Sequence, residues 1–202
     1  MIAVVDYGVG NLFSLGSSLK FLGLECAVTG DKAAIRNADR IILPGVGAFK
    51  DAKEKLDRGG LSEILKEEAA KGKPVLGICL GMQLLFDKSL EYGEHEGLSL
   101  ISGQVRPISE YLTEPLKIPH IGWNSLSFPR EDSLFKYNKE GDFVYYVHSY
   151  CAKNCEKDVI ARSYYGTEIT GAVRRGNVMG TQFHPEKSGE AGLKILKAFS
   201  EI

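Results

Sequence analysis

The 202-residue chain has 44% hydrophobic and 25% charged side chains, ordinary globular values that leave room for one α/β domain and not for two. Its 25 basic and 26 acidic residues give a formal net charge of −1 with no basic run, which argues against a nucleic-acid-binding surface. No apolar run approaches membrane-spanning length, and Met1-Ile2-Ala3-Val4-Val5 lacks the basic flank and cleavage site of a secretory signal, so the expectation is a soluble cytoplasmic protein with Cys26, Cys79, Cys151 and Cys155 reduced.

In chain order, residues 2–6 predict a buried strand, and Tyr7-Gly8-Val9-Gly10-Asn11 the loop into a helix. Leu12, Leu15, Leu19 and Leu22 form the apolar face of that helix and Gly23 ends it. Residues 25–29 and 40–43 predict further strands, the latter stopped by Pro44-Gly45-Val46-Gly47. Helical patterns follow at 48–56 and 61–70. The apolar run Pro74-Val75-Leu76 then delivers Gly77-Ile78-Cys79-Leu80-Gly81, and 83–86 is a short helical run that buries Leu84 and Leu85. Strands of continuous Val, Ile and Leu alternating with amphipathic helices imply βαβ units. From residue 99 to 182 the chain is rich in Tyr, Val, Thr and Gly, with strands predicted at 143–150 and 159–165. Gly192, Ile195, Leu196, Phe199 and Ile202 line one face of a closing helix. The expected fold is α/β in three layers, a mostly parallel central sheet with helices on both faces and antiparallel additions in the C-terminal half, as one domain over residues 1–202.

The G-x-C-x-G around Cys79 reads as a nucleophile elbow, a sharp strand-to-helix turn that needs small neighbours on both sides of an exposed thiol. A helix N-terminus at that point favours the thiolate, the attacking species. A free cysteine is equally at home as a small core hydrophobe. The balance is tipped by Phe183-His184-Pro185-Glu186, where His184 supplies a base and Glu186, facing the same side of an extended segment, a carboxylate to orient it. Gly45-Val46-Gly47 after a strand, together with the N–H of Leu80, supplies an oxyanion hole in which Val46 and Gly47 are the loop donors. Ligands of open α/β sheets sit beyond the carboxyl ends of strands, so this loop and Cys79 are expected to share a rim. His148, Cys151 and Cys155 fall within eight residues but lack a C-x-x-C pair and a fourth ligand, so no metal site is expected.

These motifs resemble the class I glutamine amidotransferases: Pro44-Gly45-Val46-Gly47, the elbow Gly77-Ile78-Cys79-Leu80-Gly81-Met82-Gln83 and His184-Pro185-Glu186 appear in family order. Residues 6–11, 44–49, 119–124 and 146–150 are similar to one subgroup, the glutaminase subunits of imidazole glycerol phosphate synthases of histidine biosynthesis. The resemblance implies hydrolysis of glutamine to glutamate and ammonia by Cys79, His184 and Glu186, without a cofactor. Gln83 and the backbone around Gly45, Gly47, His148 and Ser149 would hold the substrate. It also implies a heterodimer with a separate cyclase subunit, a (β/α)8 barrel that needs about 200 residues of its own. Asn11, Trp123, Tyr145 and Lys187 are the expected partner-contact or gating positions. Rival readings are a different amidotransferase, a redox-sensing module on the same fold, and a cysteine peptidase or γ-glutamyl hydrolase.

Overall fold

Short runs of β-branched and leucine side chains set the strands, and the helices between them force neighbouring strands to run parallel. The computed structural model describes residues 1–202. In its first half β1 (Ile2–Val5), β2 (Cys26–Thr29), β3 (Arg40–Leu43) and β4 (Val75–Ile78) alternate with α1 (Leu12–Phe21), α2 (Lys32–Asn37), α3 (Phe49–Arg58) and α4 (Leu61–Ala70). Helix α5 (Leu80–Leu84) follows Cys79 at once. The second half holds β5 (Phe86–Ser89), β6 (His95–Glu96), β7 (Ile101–Pro107), β8 (His120–Ser125), β9 (Phe143–His148), β10 (Tyr150–Lys153), β11 (Val159–Tyr164), β12 (Glu168–Arg175), β13 (Val178–Thr181) and α6 (Gly189–Ser200).

The central sheet has seven strands in the order β11-β12-β13-β4-β3-β1-β2. The strands from β13 to β2 pair in parallel, whereas β12 is antiparallel to both of its neighbours, β11 and β13. Two smaller sheets, β10-β7-β5-β6 and the ribbon β8-β9, complete the C-terminal half. Side-chain alternation splits the core into two. Ala3, Val5, Ile41, Leu43 and Val75 pack with Phe49, Leu56 and Leu65 of α3 and α4 on one face, while Ile2, Val4, Ile42, Leu76 and Ile78 pack with Leu15 and Leu19 of α1 and Phe199 of α6 on the other. No helix is long and apolar enough to cross a membrane.

One helix was not foreseen and two local expectations change. Helix α2 has no amphipathic repeat, burying Ile35 alone; it is started by Asp31, whose carboxylate accepts the Ala34 N–H at 2.7 Å. The helical run expected at 83–86 lies earlier, in α5, because Phe86 already pairs with Ile101 as a strand. The single strand expected at 143–150 is two strands. His148 pairs with His120 in the ribbon and Tyr150 with Pro107 in another sheet, so the chain changes partner at Ser149. Period-two alternation runs unbroken through such a change and does not reveal it.

Candidate active site

Three elements end at one rim. The parallel register that sets Ile78 of β4 opposite Thr181 of β13 brings Cys79 and Gln182 off their strands side by side, and the Cys79 N–H donates to the Thr181 carbonyl at 2.7 Å. From β3 the chain turns through Pro44-Gly45-Val46-Gly47. Cys79 occupies φ 55° and ψ −109°, a left-handed conformation that costs a non-glycine residue about 1–3 kcal/mol and is held by its neighbours. A Cβ on Gly77 would stand 2.6 Å from the Gly81 carbonyl oxygen, and one on Gly81 would overlap the Leu43 carbonyl. The bend is therefore closed to larger residues on both sides. The thiol expected to be exposed is instead only 7% accessible as a residue, on the wall of a pocket of about 630 Å³. The covering loops explain the difference, since Val46, Gly47, Val147 and Ser149 line the same pocket.

His184 follows β13 and hangs from the ribbon: its N–H donates to the Tyr145 carbonyl at 3.0 Å. Its Nδ1 lies 2.8 Å from Glu186 Oε1, with both side chains almost sealed from water. The expected pairing is present on a different backbone, because Pro185–Lys187 forms a 3₁₀ turn and not an extended segment. Burial alone would depress the imidazole pKa. Hydrogen bonding and charge from the Cys79 sulfur and the Glu186 carboxylate outweigh it and hold His184 up at about 10, favouring the imidazolium. Glu186 Oε2 is buried without a hydrogen-bond partner.

The pocket brings Val46, Gly47 and Leu80 to Cys79 and His184, and adds Gln83, His148, Ser149 and Lys187. Gly45 does not line it. It lies beneath the loop, where a Cβ would stand 2.8 Å from the Gly81 nitrogen and 2.9 Å from the Tyr7 hydroxyl, which itself donates to the Pro44 carbonyl at 2.8 Å. Trp123 is half exposed on the outer face of the ribbon, with its ring edge-on to Tyr145 at 5.9 Å. Asn11 precedes the first turn of α1, makes no side-chain capping hydrogen bond and does not line the pocket.

Sequence reasoning missed four groups. Glu91 lines the pocket, its carboxylate pKa raised by burial even though Oε2 accepts the Phe49 N–H at 2.6 Å. No motif marks it. Gln182 is fully buried beside the sulfur; its place two residues before His184 was the available signal. Tyr7 anchors the Pro44–Gly47 loop as described. His120 is buried between the rings of Tyr146 and Tyr165 and touches His148, Nδ1 to Nε2, at 3.0 Å. His148 Nδ1 in turn donates to the Tyr150 carbonyl at 2.8 Å, and burial drives its pKa down to about 3, so the ring is neutral. Cys151 and Cys155 are pushed up by burial to about 11 and about 12, which keeps them as thiols, and no group of three or more His, Cys, Asp or Glu side chains is placed to hold a metal ion.

The family model described as glutamine amidotransferase class-I matches residues 3–201. The chain belongs to the class-I glutamine amidotransferases. This amidotransferase is 48% identical to the imidazole glycerol phosphate synthase subunit HisH of Oceanobacillus iheyensis, covering 100% of the chain and 99% of that protein. It is 50% identical to the protein of the same name from Caldanaerobacter subterraneus subsp. tengcongensis, covering 100% and 98%. Among solved structures, a glutamine amidotransferase aligns over 99% of the chain and 100% of its own length with a TM-score of 0.77 at 18% identity. PurLQS from Thermotoga maritima aligns over 99% and 97% with a TM-score of 0.76 at 20% identity. At those identities the structural likeness speaks for the fold of the amidotransferase alone.

Proposed function

We propose that this chain is the glutaminase subunit of an imidazole glycerol phosphate synthase, folded as one cytoplasmic domain over residues 1–202, that hydrolyses glutamine and hands the ammonia to a separate cyclase subunit. The observation that carries the reading is the buried His184 imidazole, held by Glu186 on one nitrogen and raised in basicity by the Cys79 sulfur.

The Cys79 thiolate attacks the side-chain carboxamide carbon, and the negative charge that develops on oxygen is met by the N–H of Leu80 and by donors of the Val46-Gly47 segment. Losing one such donor typically costs about 3–4 kcal/mol of barrier. His184 gives its proton to the departing nitrogen, ammonia leaves, and a glutamyl thioester remains. Water then attacks the thioester with His184 taking its proton, releasing glutamate and restoring the thiolate. Glu186 keeps the ring oriented throughout. In the pocket the carboxylate of Glu91 suits the α-ammonium of an amino acid, and both protein hydrogen bonds of Gln83 are made through Nε2, leaving its Oε1 for substrate. His148 and Ser149 line the same space, and their backbone suits the α-carboxylate.

Ammonia released into neutral water is mostly protonated and no longer nucleophilic, so the cyclase must dock over the pocket. The ribbon's outer face, with Ile121, Trp123 and Phe143 exposed, is an apolar surface suited to that contact, and Lys187 borders the pocket beside it. The cyclase then uses the ammonia to form imidazole glycerol phosphate and an aminoimidazole carboxamide ribonucleotide.

The test is a glutaminase assay on the chain alone, then with the cyclase subunit and its nucleotide. Cys79→Ala and His184→Ala are each expected to abolish glutamine-dependent synthesis while synthesis from added ammonium salts survives. Glutamine hydrolysis that persists in Cys79→Ala would refute the mechanism.

A further inference from the structure

We propose that Gln182 is a positioning residue for the nucleophile: its side-chain amide donates an N–H to the Cys79 sulfur, in an orientation dictated by the Tyr150 carbonyl. The inference rests on the glutaminase reading above and adds a residue to its machinery. Gln182 is wholly buried, leaves β13 next to Cys79, and sets Nε2 at 3.8 Å from Sγ. Apart from the imidazole, the sulfur's other polar neighbour is the Val147 carbonyl at 3.9 Å. That oxygen accepts a proton from a thiol and gives nothing to a thiolate. Gln182 is thus the side-chain amide that favours the ionised sulfur over the neutral one.

The nitrogen and oxygen of an amide have the same outline, so which end faces the sulfur must be deduced from what can accept and what can donate. A backbone carbonyl only accepts. Gln83 must therefore turn Nε2 toward the Tyr150 oxygen, 3.1 Å away. The second N–H of that Nε2 faces Gln182 at 3.1 Å, so the atom opposite it must be Oε1. The remaining end of Gln182, at the sulfur, is then Nε2. Reversing either amide would place like against like at about hydrogen-bond distance in a dry interior, which costs far more than a lost contact. The anchor is itself well held, because the Tyr150 oxygen also accepts His148 Nδ1–H at 2.8 Å.

The experiment measures carbamidomethylation of Cys79 by iodoacetamide against pH in the assembled complex with the cyclase. The Cys79 peptide is read by mass spectrometry, with half-buried Cys26 as the internal reference. Gln182→Leu removes the donor, and its reactive midpoint is expected to move about one pH unit higher, which makes alkylation about tenfold slower below it. Gln182→Glu keeps the oxygen that receives Gln83 and so preserves the packing, but sets an acceptor and a negative charge beside the sulfur; it is expected to slow alkylation more than Gln182→Leu does. In turnover both variants lower kcat for glutamine, with KM little changed in Gln182→Glu, which keeps the contact to Gln83, and ammonium-dependent synthesis is retained. A packing role predicts the opposite order, the near-isosteric Glu milder than Leu. That order, or unmoved midpoints in both variants, overturns the proposal. Because alkylation needs no turnover, this result is separate from failure of the glutaminase reading, which would appear as hydrolysis surviving Cys79→Ala.

Discussion

Replacing Glu186 with glutamine removes one charge from a sealed pair while keeping its outline. His184 Nδ1 and Glu186 Oε1 are 2.8 Å apart, with the side chains 2% and 3% exposed. The exchange leaves a hydrogen bond with one charged partner where there were two, which weakens the contact by about 1–2 kcal/mol. A second cost arises at the other oxygen. Glu186 Oε2 has no partner, and a glutamine that keeps its oxygen toward Nδ1–H must place its NH₂ there, leaving buried donors unpaired at a further cost of about 1–3 kcal/mol. The imidazole stands at about 10 because the Cys79 sulfur and the Glu186 carboxylate outweigh burial; without the carboxylate it falls, by about one unit for each 1.4 kcal/mol lost. A pKa raised on folding stabilises fully below the unfolded value of 6.5 and fades as pH climbs to the folded value. The stability gap between parent and Glu186→Gln therefore holds until pH reaches the variant's lowered midpoint and narrows from there past about pH 10, toward the part caused by the unpaired amide. Imidazole NMR titration gives the midpoint, and urea unfolding at the two ends of that range gives the gap. A midpoint that stays put, or a gap of constant size, would refute the electrostatic account of the pair.

Gly81→Ala forces a Cβ into the Leu43 carbonyl, so a loss of about 1–3 kcal/mol or more is expected in urea unfolding, together with loss of glutaminase activity. His120→Phe preserves the stack between Tyr146 and Tyr165 but strips His148 Nε2 of its partner; an unfolding free energy lower by about 1–3 kcal/mol and a raised KM for glutamine check this. Trp123→Ala, on a half-exposed side chain, is expected to leave the stability of the chain within about 0.5 kcal/mol of the parent while weakening binding to the cyclase more than tenfold, as read by titration calorimetry.

The parallel core was legible because its strands are buried on both faces and so carry no polar alternation; β3 and α4 lie at the residues expected. The elbow was legible for a steric reason, since only glycine fits at 77 and 81. What escaped is set by partners distant in the chain. The break at Ser149 depends on β7 and β8, and nothing local in Tyr146-Val147-His148-Ser149-Tyr150 encodes it. Glu91 reaches the pocket by bonding to Phe49, 42 positions earlier, and Gln182 gains its meaning from Gln83, 99 positions away. The Cys79, His184 and Glu186 arrangement was readable as a list of side chains, while its support by Tyr145 and Gln182 required the three-dimensional register.

Tyr145 stands where two tasks meet. Its ring touches Trp123 on the outer surface, its N–H is held by Ser188 Oγ at 3.0 Å, and its carbonyl fixes the backbone of His184. The outside of that ribbon is thus joined to the His184 backbone through one peptide group, with no flexible spacer between. On the docking proposed above, an engineered change of partner at this surface would alter turnover even if it never entered the pocket.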